Sequence, residues 1–339
     1  MKKYKNLVKL SMLTAIVAML ASCEQKEVEP TTNQEDANLI TYENLEVKLP
    51  EGIEEGVLSM ELADLQNRFY ELNPAMKLKA AAGNMEISLT EMDELVSAIL
   101  SKYPNTFDLS EEDRSMIKED FVKVDDHMIV EHREVIEKYY SAIIKYELIN
   151  VLAEYQPKSS GGDDYLGTGL NQKEFWLLAG NPGMVGPTKD ASYKAIDLTK
   201  KYYPTGSHYR NKADAFRHAI WNALIAKYVG KKKNTVSKCT DWAKKFTDAH
   251  EAGASKPDNL TQAEFAFDQA MDYHNNKIGR VYFKSVAKVD KRKWYQSTIV
   301  VSPSETKMAN AIKAKADAAK KVTSKGQISS YPNNLVHIK

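Results

Sequence analysis

Residues 211–229 read NKADAFRHAIWNALIAKYV, a stretch whose periodicity predicts a helix that carries the candidate site. Asp214, His218 and Asn222 follow one another at intervals of four residues, so a helix aligns them on one polar stripe. Small side chains beside this stripe let another helix approach closely: Ala215, Ala219, Ala223 and Ala226. A polar stripe flanked by a contact surface predicts an enclosed polar site in a mainly helical domain.

Two further segments have helical patterns that turn a histidine toward an apolar face. In residues 240–251, His250 shares a face with Phe246. The next helix begins at a capping box formed by Thr261 and Glu264. One face of that helix contains these residues: Phe267, Met271, His274 and Ile278. The sequence therefore predicts that three helices each turn one histidine inward.

Buried imidazoles need a partner, because leaving each one unsatisfied costs about 1 to 3 kcal/mol. We therefore predict that His218, His250 and His274 bind a divalent metal, zinc or calcium, with one position open for water. Such a site is typical of a hydrolase. Carboxylates and amides within reach would orient or complete it: Asp214, Asn222, Glu251, Asp272, Asn275 and Asn276.

Two alternatives use the same residues. In the first, one histidine is a general base held by Asp214 or Asp272, and Arg217 or Arg280 stabilises an anion without any metal. In the second, the histidines belong to a polar core network that is satisfied internally and has no catalytic role. Sequence alone leaves all three interpretations open.

Three spaced motifs carry a family resemblance. They are ADAFRHAIWN at 213–222, AHE at 249–251 and MDYHNNKIGR at 271–280. Together they resemble an uncharacterised domain of bacterial secreted and toxin-like proteins, over about residues 170–285. The resemblance implies no established activity.

The helix with Arg217 and His218 is also similar to the catalytic helix of small prokaryotic phospholipases A2. That family has an aspartate after the histidine, whereas Ala219 stands here. Other catalytic patterns are absent from the sequence: there is no G-x-S-x-G motif and no second histidine completing a zincin helix after His250-Glu251. Residues 180–186 lack the Gly-Lys-Ser/Thr ending of a phosphate loop and predict a turn.

Charge divides the chain into two parts. Residues 24–155 contain 30 acidic and 12 basic side chains, whereas residues 156–339 contain 16 acidic and 31 basic ones. Opposite charges favour docking of the two parts and would draw the basic part toward phospholipid headgroups or nucleic acid, although solvated faces explain them equally well. We predict four units after the N-terminal region: an acidic helical domain at 41–155, a linker at 156–169, a basic helical domain at 170–300, and a C-terminal helix and tail at 301–339.

The N-terminal region has the pattern of an export signal. Four lysines precede the uncharged stretch 10–22, which is too short to span a bilayer. It ends in Leu20-Ala21-Ser22-Cys23, which resembles the bacterial lipobox and implies cleavage after residue 22 and lipidation of Cys23. Residues 23–40 then predict a disordered tether. We expect a lipid-anchored protein of the cell envelope, in the outer membrane or at the cell surface.

The sequence thus predicts a mainly helical lipoprotein in two parts. The leading functional hypothesis is a metal-assisted or His/Asp-dependent hydrolase acting on an anionic envelope substrate such as phospholipid. A non-catalytic surface binding or structural protein is the alternative from another class. A nuclease is a further alternative, because the second part is basic.

Overall fold

Helices form most of the computed structural model, which describes residues 38–81, 85–156 and 169–339. The helices of this part of the chain are α1 (Leu62–Leu72), α2 (Pro74–Ala81), α3 (Leu89–Leu100), α4 (Glu111–Asp120), α5 (Asp126–Glu131), α6 (Arg133–Glu154), α7 (Gln172–Ala179), α8 (Val185–Tyr202), α9 (Lys212–Tyr228), α10 (Val236–Gly253), α11 (Gln262–Val286) and α12 (Glu305–Asp317). Short strands pair as β1 (Leu39–Tyr42) with β2 (Leu45–Lys48), β3 (Lys288–Asp290) with β4 (Ile299–Val301), and β5 (Lys320–Lys321) with β6 (Val336–His337). The prediction of a mainly helical fold is confirmed.

Polar caps determine where several helices begin. Ser88 and Glu91 form a capping box at the start of α3, and Thr261 and Glu264 form another at α11, as their spacing predicts. The side chain of Asn211 caps α9. These caps satisfy backbone N–H groups that the first turn of a helix leaves without a partner.

Two segments differ from the sequence prediction. The apolar periodicity of residues 129–155 predicts one long helix. In the structure this helix is divided at His132, whose backbone leaves the helical region between α5 and α6. Helix α8 was not predicted, because the glycines and prolines of residues 180–187 obscure its start. Pro187 lies in its first turn, where a missing N–H leaves no hydrogen bond unmade. Residues 180–186 do contain the predicted turn, at Pro182–Met184.

Helix α9 is the centre of the second part and packs against α8, α10, α11 and α12. Nearly all of its side chains are buried. The predicted alanine row is a contact surface: Gly279 of α11 approaches so closely that a Cβ added there would lie 2.0 Å from the carbonyl oxygen of Ala219. This contact fixes how α9 and α11 present their polar residues to each other.

Side chains from both sides of the charge boundary pack into one hydrophobic core. The rings of Phe69 and Phe175, for example, have centroids 5.5 Å apart. Ion pairs also cross the boundary, including Lys189 with Asp93 at 2.5 Å. The division into two helical domains stays a prediction, and residues 157–168 of the predicted linker lie outside the described residues.

The predicted signal at 1–22, Cys23 and the tether as far as residue 37 also lie outside the described residues. The lipid anchor therefore stays a prediction. Within residues 38–81, 85–156 and 169–339, no helix combines the length and apolar character that a membrane span requires.

Candidate active site

Three carboxylates from three helices surround the imidazole of His218, which is 3% exposed. Oδ1 of Asp214, one turn earlier on α9, lies 3.5 Å from Nε2. Oδ1 of Asp272, on α11, lies 3.2 Å from the same nitrogen. Oε1 of Glu251, on α10, lies 3.5 Å from Nδ1 on the other side of the ring. We call His218 and these three acids the His218 cluster.

Arg217 connects the cluster to the surface. Its Nη2 donates a hydrogen bond of 2.6 Å to Oδ1 of Asp214 and lies 2.9 Å from Nε2 of His218. About a third of the Arg217 side chain is exposed, and 16% of the Asp272 side chain. The cluster is therefore not fully enclosed, because parts of the Arg217 and Asp272 side chains are exposed to solvent.

The pKa values of the two aspartates of the cluster are shifted in opposite directions. Burial raises the pKa of Asp272 well above its ordinary value, and the nearby charges of Glu251 and Asp214 raise it further. Burial also disfavours the charge of Asp214, but Arg217, His218 and the backbone N–H of Arg210 outweigh it and lower its pKa. Asp214 is thus an anion at neutral pH, whereas Asp272 keeps its proton to a higher pH than an ordinary aspartate.

The geometry of three side chains is compatible with a metal ion. Asp214, His218 and Asp272 each offer one ligand atom, and these atoms lie within 4.8 Å of one another. Oδ1 of Asp272 and Nδ1 of His218 are also buried without a hydrogen-bond partner among the described residues. A buried polar atom without a partner is uncommon in folded proteins and suggests a binding site.

The structure brings His218 together with carboxylates, and not with His250 and His274 as the three-histidine metal hypothesis required. The indole of Trp221 contacts both His218 and His250, with ring centroids at 6.5 and 5.1 Å. Nδ1 of His250 forms a hydrogen bond of 2.8 Å with Glu174. Burial lowers the pKa of His250, but the hydrogen bond to Glu174 and the negative charges of Glu174 and Glu251 together outweigh burial and leave the pKa raised.

His274 lies on the other side of α11 from Asp272. Residues two positions apart in an α-helix are separated by about 200° around its axis, so Asp272 and His274 cannot both face His218. Nε2 of His274 instead lies 2.7 Å from the carbonyl oxygen of Asn334. Of the three predicted metal-binding histidines, His218 is thus the one in the described group of close potential ligands.

Most of the predicted binding residues form one buried hydrogen-bond network beside His218. Oδ1 of Asn222 accepts from Arg280 at 2.6 Å, and its Nδ2 donates to Asn276 at 2.6 Å. Asn276 in turn donates to Glu251 at 3.1 Å. The network therefore runs from Arg280 to Glu251, the carboxylate beside Nδ1 of His218. Both amide side chains are buried, so the network positions Glu251 away from solvent.

Asn275 has a different role from its neighbour Asn276. Its Nδ2 donates to the carbonyl oxygen of Val336, and its Oδ1 accepts from the N–H of the same residue, both at 3.0 Å. This pair of bonds imitates a strand pairing and fixes β6 against α11. With His274 and Asn334, it attaches the C-terminal tail to the helix that bears Asp272.

Three residues near the site were missed by the sequence prediction. Glu174 caps α7 through one carboxylate oxygen and binds His250 through the other. Thr247 donates to Asn222 at 3.1 Å. Arg210 has a φ of 60°, in the left-handed region, and its N–H donates to Asp214 at 2.6 Å. Only Glu174 has a local signal, since Asn171-x-x-Glu174 is a capping box, and that signal indicates a helix start rather than a site.

No curated protein and no solved structure matches the chain. A family model does match residues 175–320, a region that contains the whole His218 cluster. This match is consistent with the predicted resemblance to an uncharacterised domain family, whereas the association with secreted and toxin-like proteins stays a prediction. The family that this region of the chain matches is described as a domain of unknown function (DUF6973).

Proposed function

We propose that the His218 cluster is the active site of a hydrolase that uses a divalent cation held by Asp214, His218 and Asp272. One observation carries the proposal: these residues, from two helices, offer ligand atoms within 4.8 Å of one another at a buried position. That spacing suits a single ion bound by an imidazole nitrogen and two carboxylate oxygens.

Electrostatics supports a cation at this position. The imidazole of His218 is surrounded by three acids: Asp214, Glu251 and Asp272. Arg217 is the guanidinium that bonds directly to Asp214. Burial and the neighbouring acids make ionised Asp272 unfavourable, and a bound cation would relieve this cost by replacing the proton. Because calcium prefers oxygen ligands, the imidazole favours zinc.

The surrounding residues have distinct roles in this proposal. The cation would act as a Lewis acid on an ester or phosphate oxygen. Glu251, held by Asn276, would fix the orientation of the His218 ring. Arg217 would turn outward from Asp214 when the cation binds and would then face an anionic group of the substrate, since its side chain is already partly exposed.

The proposed substrate is an anionic component of the cell envelope, such as a phospholipid. The basic balance of residues 156–339 supports an anionic substrate. Lipidation at Cys23 would hold the site close to a membrane, in the outer membrane or at the cell surface, where such lipids are abundant.

Metal analysis of the full chain in detergent tests the proposal directly. We expect about one equivalent of zinc in the wild type and in the control Asp258→Asn, which alters an exposed carboxylate. Asp214→Asn, His218→Gln and Asp272→Asn should lose the metal and the release of fatty acid or headgroup from phosphatidylglycerol vesicles. Folding is monitored by circular dichroism. Folded variants that keep the metal would overturn the proposed ligand set.

A metal-free hydrolase is the second candidate, and the position of Arg217 favours it. The guanidinium contacts both Asp214 and His218, so a positive charge is already present where a cation would bind. His218 would then be a general base and Arg217 would stabilise an anion. Activity that survives chelation but is lost in Arg217→Lys and His218→Gln would select this mechanism. A folded wild type with neither metal nor activity would leave the non-catalytic alternative.

A further inference from the structure

A second polar region lies apart from the His218 cluster. A cavity of about 500 Å³ opens between α3, α6 and the segments 103–107, 180–184 and 232–233. None of the four residues of the His218 cluster lines it. Its volume is in the range of small-molecule binding sites.

Three lysines line this cavity: Lys145 of α6, and Lys232 and Lys233 from the segment between α9 and α10. All three are partly buried. Within the described residues, none of them forms a hydrogen bond or a close ion pair. Glu137 is the one carboxylate among the lining residues, so the cavity wall has an excess of positive charge.

Such an arrangement is unfavourable without a ligand. Partial burial lowers the pKa of each of the three lysines, which reflects the cost of removing an ammonium group from water. Buried charges in folded proteins are normally paired. A ligand that brings two negative charges would supply the missing partners.

The rest of the lining describes the ligand further. Leu100, Ile144 and Met184 offer apolar contact, and Ser141 and Asn181 offer polar groups. From this combination of a partly open cavity, three ammonium groups without a close ion-pair partner and an apolar wall, we infer that the cavity binds a small organic phosphomonoester. The phosphate dianion would lie among the lysines, and its organic group would lie against the apolar side chains.

Phenyl phosphate is a suitable probe, and calorimetric titration of the full chain in detergent measures its binding. We expect saturable binding of phenyl phosphate. Benzoate, a monoanion, should bind at least about tenfold more weakly. Lys145→Met and Lys232→Met should each weaken binding by about tenfold or more, as expected for loss of a hydrogen bond to a charged group. Lys315→Met, which changes an exposed lysine, is the matched control and should bind like the wild type.

The same variants keep the inference testable if stability changes. Replacing an unpaired, partly buried lysine with methionine should raise the melting temperature of the protein without ligand while weakening binding. His218→Gln should bind the probe normally, which separates this cavity from the His218 cluster. Absence of binding at millimolar phenyl phosphate, equal binding of benzoate, or equal affinity in the cavity and control variants would each overturn the inference.

Discussion

The carbonyl oxygen of Ala219 would lie 2.0 Å from a Cβ placed on Gly279, so α9 and α11 are in contact through their backbones. Gly279→Ala must therefore separate the two helices. We expect a net loss of about 1 to 3 kcal/mol in the free energy of unfolding, even though alanine is intrinsically the better helix former. Because the same helices bear His218 and Asp272, the proposed hydrolase activity should fall as well.

Urea denaturation monitored by circular dichroism measures this loss. Gly326→Ala is the control, because a Cβ there meets nothing within 4 Å. Equal stability of the two variants would contradict the close helix contact.

Asp272 should make the metal-free protein less stable as the pH rises. Its folded pKa is raised above the ordinary value of 3.8, so the stability present at low pH is lost between 3.8 and the folded pKa. Within that window the loss is about 1.4 kcal/mol per pH unit. Asp272→Asn cannot ionise and should therefore be more stable than the wild type at pH 7 in EDTA.

Thermal unfolding from pH 4 to pH 8 checks the sign. The advantage of Asp272→Asn should grow with pH in EDTA and shrink when zinc is added, whereas Asp258→Asn should follow the wild type at every pH. A variant less stable than the wild type throughout this range would refute the assigned direction.

The pair of His250 and Glu174 should stabilise the folded protein when His250 is protonated, so its contribution to stability also falls as the pH rises. The pKa of His250 is raised above 6.5, so the pair contributes fully below that pH and is lost as the pH rises through the folded pKa. Glu174→Gln keeps an oxygen for the α7 cap but removes the charge. Its stability deficit should be largest below pH 6.5 and should diminish as the pH rises through the folded pKa of His250.

Chemical denaturation of wild type and Glu174→Gln across this range measures the deficit. Glu55→Gln, at an exposed position, is the charge-matched control. A deficit independent of pH would mean that Glu174 acts through the helix cap alone.

Asn275 should stabilise the C-terminal tail rather than take part in catalysis. Asn275→Ala removes both hydrogen bonds to Val336 and should cost about 1 to 3 kcal/mol. Amide hydrogen exchange should become faster in residues 331–339 first. Asn259→Ala, at an exposed asparagine, should change neither property. Unchanged exchange in Asn275→Ala would contradict the attachment of the tail by the two hydrogen bonds to Val336.

The helices of the second part were predictable because their signals are local. Asn211, Thr261 and Glu264 are caps whose partners are three residues away, and the alanine row of α9 already indicated a close helix contact. Apolar periodicity alone predicts one continuous helix where the structure has a break at His132. The division between α5 and α6 depends on tertiary packing, which residue spacing does not describe.

The site was predicted in part for the same reason. Asp214, His218 and Asn222 share one face of one helix, so their proximity follows from spacing. The prediction for α11 named His274 as a metal ligand and Asp272 as a supporting carboxylate, whereas Asp272, two residues earlier, is the side chain that reaches His218. Contacts between helices, such as Glu174 with His250, have no sequence signal, because they depend on how α7 and α10 pack.

One hydrophobic core spans the charge boundary, so each half of the chain contributes only part of it. Proteolysis at a site introduced between residues 156 and 169 would leave two fragments whose interior surfaces match only each other. Neither fragment would then have a complete hydrophobic core, and the two should reassemble by fragment complementation when mixed. The acidic half would in that sense be an intramolecular chaperone for the half that contains His218.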